Sequence, residues 1–186
     1  MKKIILIVLF LSFVISSAQA QKVVRLEELK MTYSPESLIL DPNTNSLSIV
    51  VSENYAGEFA ENPLVFVREN FDIYQFIEAN ADSDFISYEV NFRTGKGFLD
   101  AEYDKEGNLL SSYSDFKNIA LPYQMIVDIA KSNPGWQIVK NRHVAISNEW
   151  DITKEYYKVK LADGNKRKNV KIDLGPRKFN EGLASN

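Results

Sequence analysis

The chain has 186 residues, 45% of them hydrophobic and 12% aromatic, with 22 basic and 25 acidic side chains for a formal charge of −3. One histidine and no cysteine exclude disulfides, cysteine nucleophiles and any metal site built from cysteines or from several histidines. The acidic balance argues against general nucleic-acid binding, which calls for a net basic surface.

At the N-terminus, Lys2 and Lys3 precede the apolar run IILIVLFLSFVIS and then SAQA, in which Ala18 and Ala20 frame an A-x-A cleavage site. These are the three parts of a secretory signal peptide. The run is shorter than the roughly 20 residues of a membrane-spanning helix. The expectation is therefore a signal over residues 1–20, no stable membrane insertion after its removal, and a periplasmic or secreted protein. Cleavage after Ala20 leaves 20 basic and 25 acidic side chains, a charge of −5. That charge is uneven: residues 21–118 carry 8 basic and 18 acidic side chains, whereas residues 136–186 carry 11 and 6. Opposite potentials of this kind serve mutual attraction of two halves or a partner that meets both; the plainer alternative is two solvated faces that keep the protein soluble.

Residues 21–60 read as an N-terminal extension in which SLILDPNTNSLSIVVS forms a β-hairpin around Asp41-Pro42-Asn43. A first helix-plus-hairpin unit spans 61–118. Its helix, in ENPLVFVRENFDIYQFIEAN, opens on Asn62 and Pro63 and repeats Leu64, Val67, Phe71, Tyr74 and Ile77 at helical spacing. ISYEVNF then alternates, with Ile86, Tyr88, Val90 and Phe92 on one face, and GFLDAEYD follows with Leu99, Ala101 and Tyr103 inward. Glycine-containing turns RTGK and DKEGN make these a meander that ends over Leu109 to Tyr113.

The second unit spans 119–178, before a tail at 179–186. In IALPYQMIVDIAKSNPGWQI, Leu121, Met125, Ile126, Ile129 and Ala130 share a helical face, Pro122 sits in the first turn, and Asn133-Pro134-Gly135 ends the helix before a strand begins at Trp136. YYKVKLADGNKRKNVKIDL forms a hairpin with Tyr157, Val159, Leu161, Val170, Ile172 and Leu174 on one face. Six of its positions match the first hairpin at a constant offset of 69, from Tyr88 and Tyr157 to Tyr103 and Ile172, a pattern consistent with duplication. The fold class expected is α+β: an antiparallel β-sheet with helices packed on one face, in two related hairpin and helix units.

The run from Gly97 to Asn141, followed by EYYKVKLADGNKRKNVKID, also carries a resemblance. A strand, Asp-x-x-Gly at Asp104 to Gly107, another strand, Leu121-Pro122 opening a helix, Pro134-Gly135 closing it and the strand with Tyr156-Tyr157 resemble the PepSY-like family of exported bacterial proteins. That family is related in fold to the beta-lactamase-inhibitor-protein-like group. The similarity covers about residues 85–175. It implies a small exported binding or inhibitory module whose partner varies, because fold does not carry function across such families.

Catalytic motifs are absent. His143 lacks a G-x-S-x-G serine, and neither G-x-x-x-x-G-K-[ST] nor G-x-G-x-x-G occurs. Asp100, Glu102 and Asp104 share a strand face, yet Lys105 stands where a calcium loop needs glycine, and Ser46 does so in DPNTNS. No metal, cofactor or catalytic residue is therefore expected. On the corresponding face of the second hairpin, Lys158, Lys160 and Lys171 stand where acids stood in the first. The leading expectation is a non-catalytic module that binds an envelope or extracellular protein or peptide through the helix-free face. Its contact residues would be Phe98, Asp100, Glu102, Trp150, Tyr156, Lys158, Lys160 and Lys171. The alternatives are an envelope enzyme using the carboxylates Asp100, Glu102 and Asp104, and a carrier of a small apolar ligand held between helix and sheet.

Overall fold

The computed structural model describes residues 38–41, 45–79 and 85–179, so the expected signal peptide and most of the C-terminal tail lie outside the described residues. The strands are β1 (Leu38–Asp41), β2 (Ser46–Val50), β3 (Ser87–Thr94), β4 (Gly97–Asp104), β5 (Leu109–Lys117), β6 (Gln137–Asn148), β7 (Asp151–Asp163) and β8 (Lys166–Asp173). Helices α1 (Ala56–Glu61), α2 (Pro63–Asn70) and α3 (Ile73–Ala79) lie between β2 and β3, and α4 (Tyr123–Ser132) lies between β5 and β6. The eight strands form one sheet in sequence order. Every pair is antiparallel except β2 with β3, which the three-helix crossover makes parallel. The fold is thus α+β, and the N-terminal hairpin is part of the main sheet.

All four helices bury their apolar residues against the same side of the sheet, here called the inner face, in one core cluster. Phe59 of α1 packs edge-on against Phe66 of α2 and Phe116 of β5, each with ring centres 5.3 Å apart. Phe76 of α3 meets Tyr88 at 5.5 Å. At the other end, Met125 and Ile129 of α4 are buried in the same cluster. Lys168, opposite inward Leu161, donates to Asn133 Oδ1 at 2.7 Å, which holds the end of α4 over β8. Gly135, at φ +83°, makes the reversal into β6 in a backbone region that disfavours a side chain.

Several expectations are corrected in detail. The first helix is two: Phe71 leaves helical geometry to set its ring 5.1 Å from Phe92, and Asp72 restarts the chain by accepting from the Tyr74 N–H at 3.0 Å. Tyr74 is consequently 57% exposed, and Ile73 and Phe76 take the buried positions. In α4, Pro122 is the N-cap residue, one place before the first turn, and Ile126 and Ala130 face outward while Met125 and Ile129 are buried. Ile86 and Leu174 lie just beyond the ends of their strands, and Ile86 is 83% exposed because the ladder stops at Ser87 with Asp104. The 69-residue echo is borne out as register: Tyr88 pairs with Tyr103 as Tyr157 pairs with Ile172, and Val90 with Ala101 as Val159 with Val170.

Gly97 is where β4 comes closest to β5. A Cβ there would lie 2.1 Å from the Asp115 carbonyl oxygen and 2.7 Å from Phe116 Cα. Gly97→Ala is expected to destabilise the fold by about 3 kcal/mol in chemical denaturation. Gly57→Ala, at an open site in α1, should stabilise it by up to about 1 kcal/mol.

Candidate binding face

Strand alternation puts one set of side chains on the face opposite the helices, and among the described residues no helix lies over it. At the β3–β4 side, Glu89 stands directly opposite Glu102, and Asp100 stands between Asn91 and Tyr113. The Ser111 hydroxyl donates to Glu102 at 3.4 Å. Burial pushes the Asp100 carboxyl up; Arg93, 3.8 Å away, pulls it back, and Glu89 adds to the rise. Among the described residues Asp100 Oδ1 is buried without a hydrogen-bond partner. These acids rim an open depression of about 510 Å³ that Ser87, Ser111, Tyr113 and Ile146 complete.

At the β7–β8 side the same face is basic. Lys158 stands opposite Lys171, and Lys160 opposite Lys140. The Tyr156 ring sits among ammonium groups of Lys171, Lys158 and Lys154, at 4.8, 5.6 and 5.9 Å from its centre, within cation–π range. Between the two zones runs a half-buried strip. Phe98 and Tyr113 lie with ring centres 5.8 Å apart, and Tyr113 pairs with Ile146. Arg142 clamps Asp115 with two hydrogen bonds, one of 2.7 Å from Nε. Like charges placed directly opposite one another in a ladder repel, so the Glu89–Glu102 and Lys158–Lys171 pairs oppose folding, the second offset in part by Asp173, which accepts from Lys171 at 2.7 Å. Both are relieved by a surface of opposite charge.

Seven of the eight expected contact residues lie on this face: Phe98, Asp100, Glu102, Tyr156, Lys158, Lys160 and Lys171. Trp150 does not, which corrects its assignment. It occupies the β6–β7 turn and packs on Phe179, ring centres 5.6 Å apart, because the C-terminal segment returns along β7 through the Ile152–Arg177 bridge. There it borders an open groove of about 920 Å³ beside α2 and α3. Asp104 is also separate from the other acids: its carboxylate accepts from the Asn108 N–H and side-chain amide at 2.7 and 2.8 Å, and these bonds hold it below the usual range. Glu89, on the polar side of the β3 alternation, joins the face beside the expected contact residues, and Tyr113 and Lys154 join it unforeseen, although their parity with expected neighbours marked them.

The inner face carries a second polar group that sequence reading missed. His143 Nε2 lies 2.9 Å from Glu155 Oε1, Arg177 reaches Glu155 Oε2 at 3.2 Å, and Ser112 and Ser147 hydroxyls meet at 2.7 Å. An ionised carboxylate only accepts, so Nε2 carries the proton. Among the described residues His143 Nδ1 has no hydrogen-bond partner, so no serine hydroxyl is bonded to the imidazole. The imidazole stacks on Tyr157 with centres 4.3 Å apart. The space left here, between the α1–α2 junction and the sheet, is about 10 Å³, too small for a ligand.

Compared with known proteins, the chain matches no family model, no curated protein and no solved structure.

Burial would raise the Glu155 carboxyl, but the His143 hydrogen bond and the Arg177 and His143 charges outweigh it and hold the group low. A depressed carboxyl stabilises the fold above its unfolded value, about 4.3, and loses that contribution as pH falls through the lower folded value. Glu155→Gln should therefore cost about 2–3 kcal/mol at neutral pH. In denaturation midpoints measured across pH, its acid-side decline should be shallower than that of the parent.

Proposed function

We propose that the protein is an exported, non-catalytic binding or inhibitory module that engages a protein or peptide partner through the helix-free face of its sheet. The observation that carries this reading is the pair of zones of opposite charge, each containing directly opposed like charges, on either side of an aromatic strip. Such a face is stabilised by a complementary charged partner more than by water, and its rings supply contact area at low entropic cost. At the α1–α2 junction the gap between helices and sheet is too small for an enclosed ligand. The PepSY-like and beta-lactamase-inhibitor-protein-like resemblance and the signal-like N-terminus accord with an envelope or extracellular setting.

One observation favours a second reading, an envelope enzyme. Asp100 has a raised carboxyl and, among the described residues, a buried oxygen without a hydrogen bond beside Glu102 and Glu89. Against it, Asp104 is committed to a turn and the depression is open to solvent.

Affinity capture from envelope extract, with the immobilised protein compared against a Lys158→Glu, Lys160→Glu, Lys171→Glu variant, tests the binding reading. A partner retained by the parent and lost by the variant is the expected outcome. Capture that is identical for the two proteins would remove the lysine zone from the interface.

A further inference from the structure

We infer that the partner this face fits first is a second copy of the same chain, packed face to face about a two-fold axis. This rests on the reading above that the helix-free face is the binding surface.

Glu89, Asp100 and Glu102 lie on β3 and β4, and Lys154, Lys158, Lys160 and Lys171 lie on β7 and β8, with β5 and β6 between them. A two-fold axis lying in the plane between two such faces, midway between the zones, exchanges them. The acidic zone of each copy then falls on the lysine zone of the other, and both contacts form at once. At each end Glu89, Glu102 and an Asp100 that is 3.8 Å from Arg93 meet Lys154, Lys158, Lys160 and a Lys171 that also donates to Asp173 at 2.7 Å. Near the axis lie half-buried Tyr113 and Ile146, with Asp115 and Arg142 already paired to each other and the exposed Lys117 at the end of β5. Apolar and aromatic residues at the centre with charges at the rim is the usual anatomy of a specific interface. Each like-charge pair that repels in the monomer acquires opposite charges in the dimer. A peptide from another protein reproduces this only if it carries both charges at the same separation, a match that a second copy has by construction.

Size sets the strength. Six strands about 4.8 Å apart and about eight residues long at about 3.3 Å per residue cover on the order of 600 Å². That is below the roughly 800 Å² per partner of a standard interface, so the dimer is weak, concentration-dependent and sensitive to salt.

Sedimentation velocity tests this on protein purified from expressing cells with its N-terminal processing intact. At low salt a monomer–dimer equilibrium is expected, weakened about tenfold or more at about 0.5 M salt. The variants Lys158→Glu with Lys171→Glu, and Glu89→Lys with Glu102→Lys, should each be monomeric alone, and mixing the two should restore a dimer. Melting curves of each variant establish that it is folded. A monomer at every concentration, a dimer indifferent to both reversals, or a mixture that fails to associate overturns the inference. If the chain is monomeric yet still captures another protein in a lysine-dependent way, self-association fails while the binding face stands. If both association and capture ignore the reversals, both readings fail.

Discussion

From Ser111 to Lys117 and from Arg142 to Asn148 the chain builds the antiparallel ladder that joins β5 to β6, and both faces of the sheet are positioned through it. This pairing is not local: α4 and its flanking loops intervene, and the chain must return. Asn141 fastens the return by accepting from the Ile119 N–H at 3.1 Å and donating to the Ile119 carbonyl at 2.8 Å. Without this seam the five strands β1–β5 and the three strands β6–β8 would be separate sheets. Their acidic and basic strands would then share no face.

The seam also explains why polar groups concentrate at the centre of the inner face. Ser112 and Ser147 bond across it, and His143, Glu155 and Arg177 continue the network away from it. A one-residue slip reverses which side chains point inward. Here it would bring Arg142 or Lys154 toward the core and strand the serine pair, so the polar contacts oppose wrong registers even where they add little net stability. On the outer face the Asp115–Arg142 pair marks the same register. The lateral charge zones are the opposite case. They lower the stability of the isolated chain, which makes them informative about association.

Strand parity was the most legible part of the sequence, because alternation assigns a side chain to a face whatever its neighbours are. Tyr88, Val90, Phe92, Leu99, Ala101 and Tyr103 are all buried as their spacing indicated. The same rule, carried from Tyr157 back to Glu155, would have revealed an inward carboxylate. What parity could not reach depends on distant parts of the chain. Phe71 leaves its helix to meet Phe92, Trp150 turns toward a returning C-terminal segment, and the parallel pairing of β2 with β3 requires the whole crossover. The helical period runs through Phe71 and Asp72 unbroken, and only the Asp72 cap betrays the restart.

A cysteine pair across the seam tests the account most directly, because the chain has no cysteine of its own. The Ser112 and Ser147 hydroxyl oxygens are 2.7 Å apart on directly paired residues, close enough for a disulfide between the replacement side chains. In the Ser112→Cys, Ser147→Cys variant, mild oxidation should close an intramolecular disulfide in folded protein, detected by intact mass and by loss of free thiol. Thiols that stay free in the folded state, or bridges that form only between chains, would contradict a continuous sheet through β5 and β6.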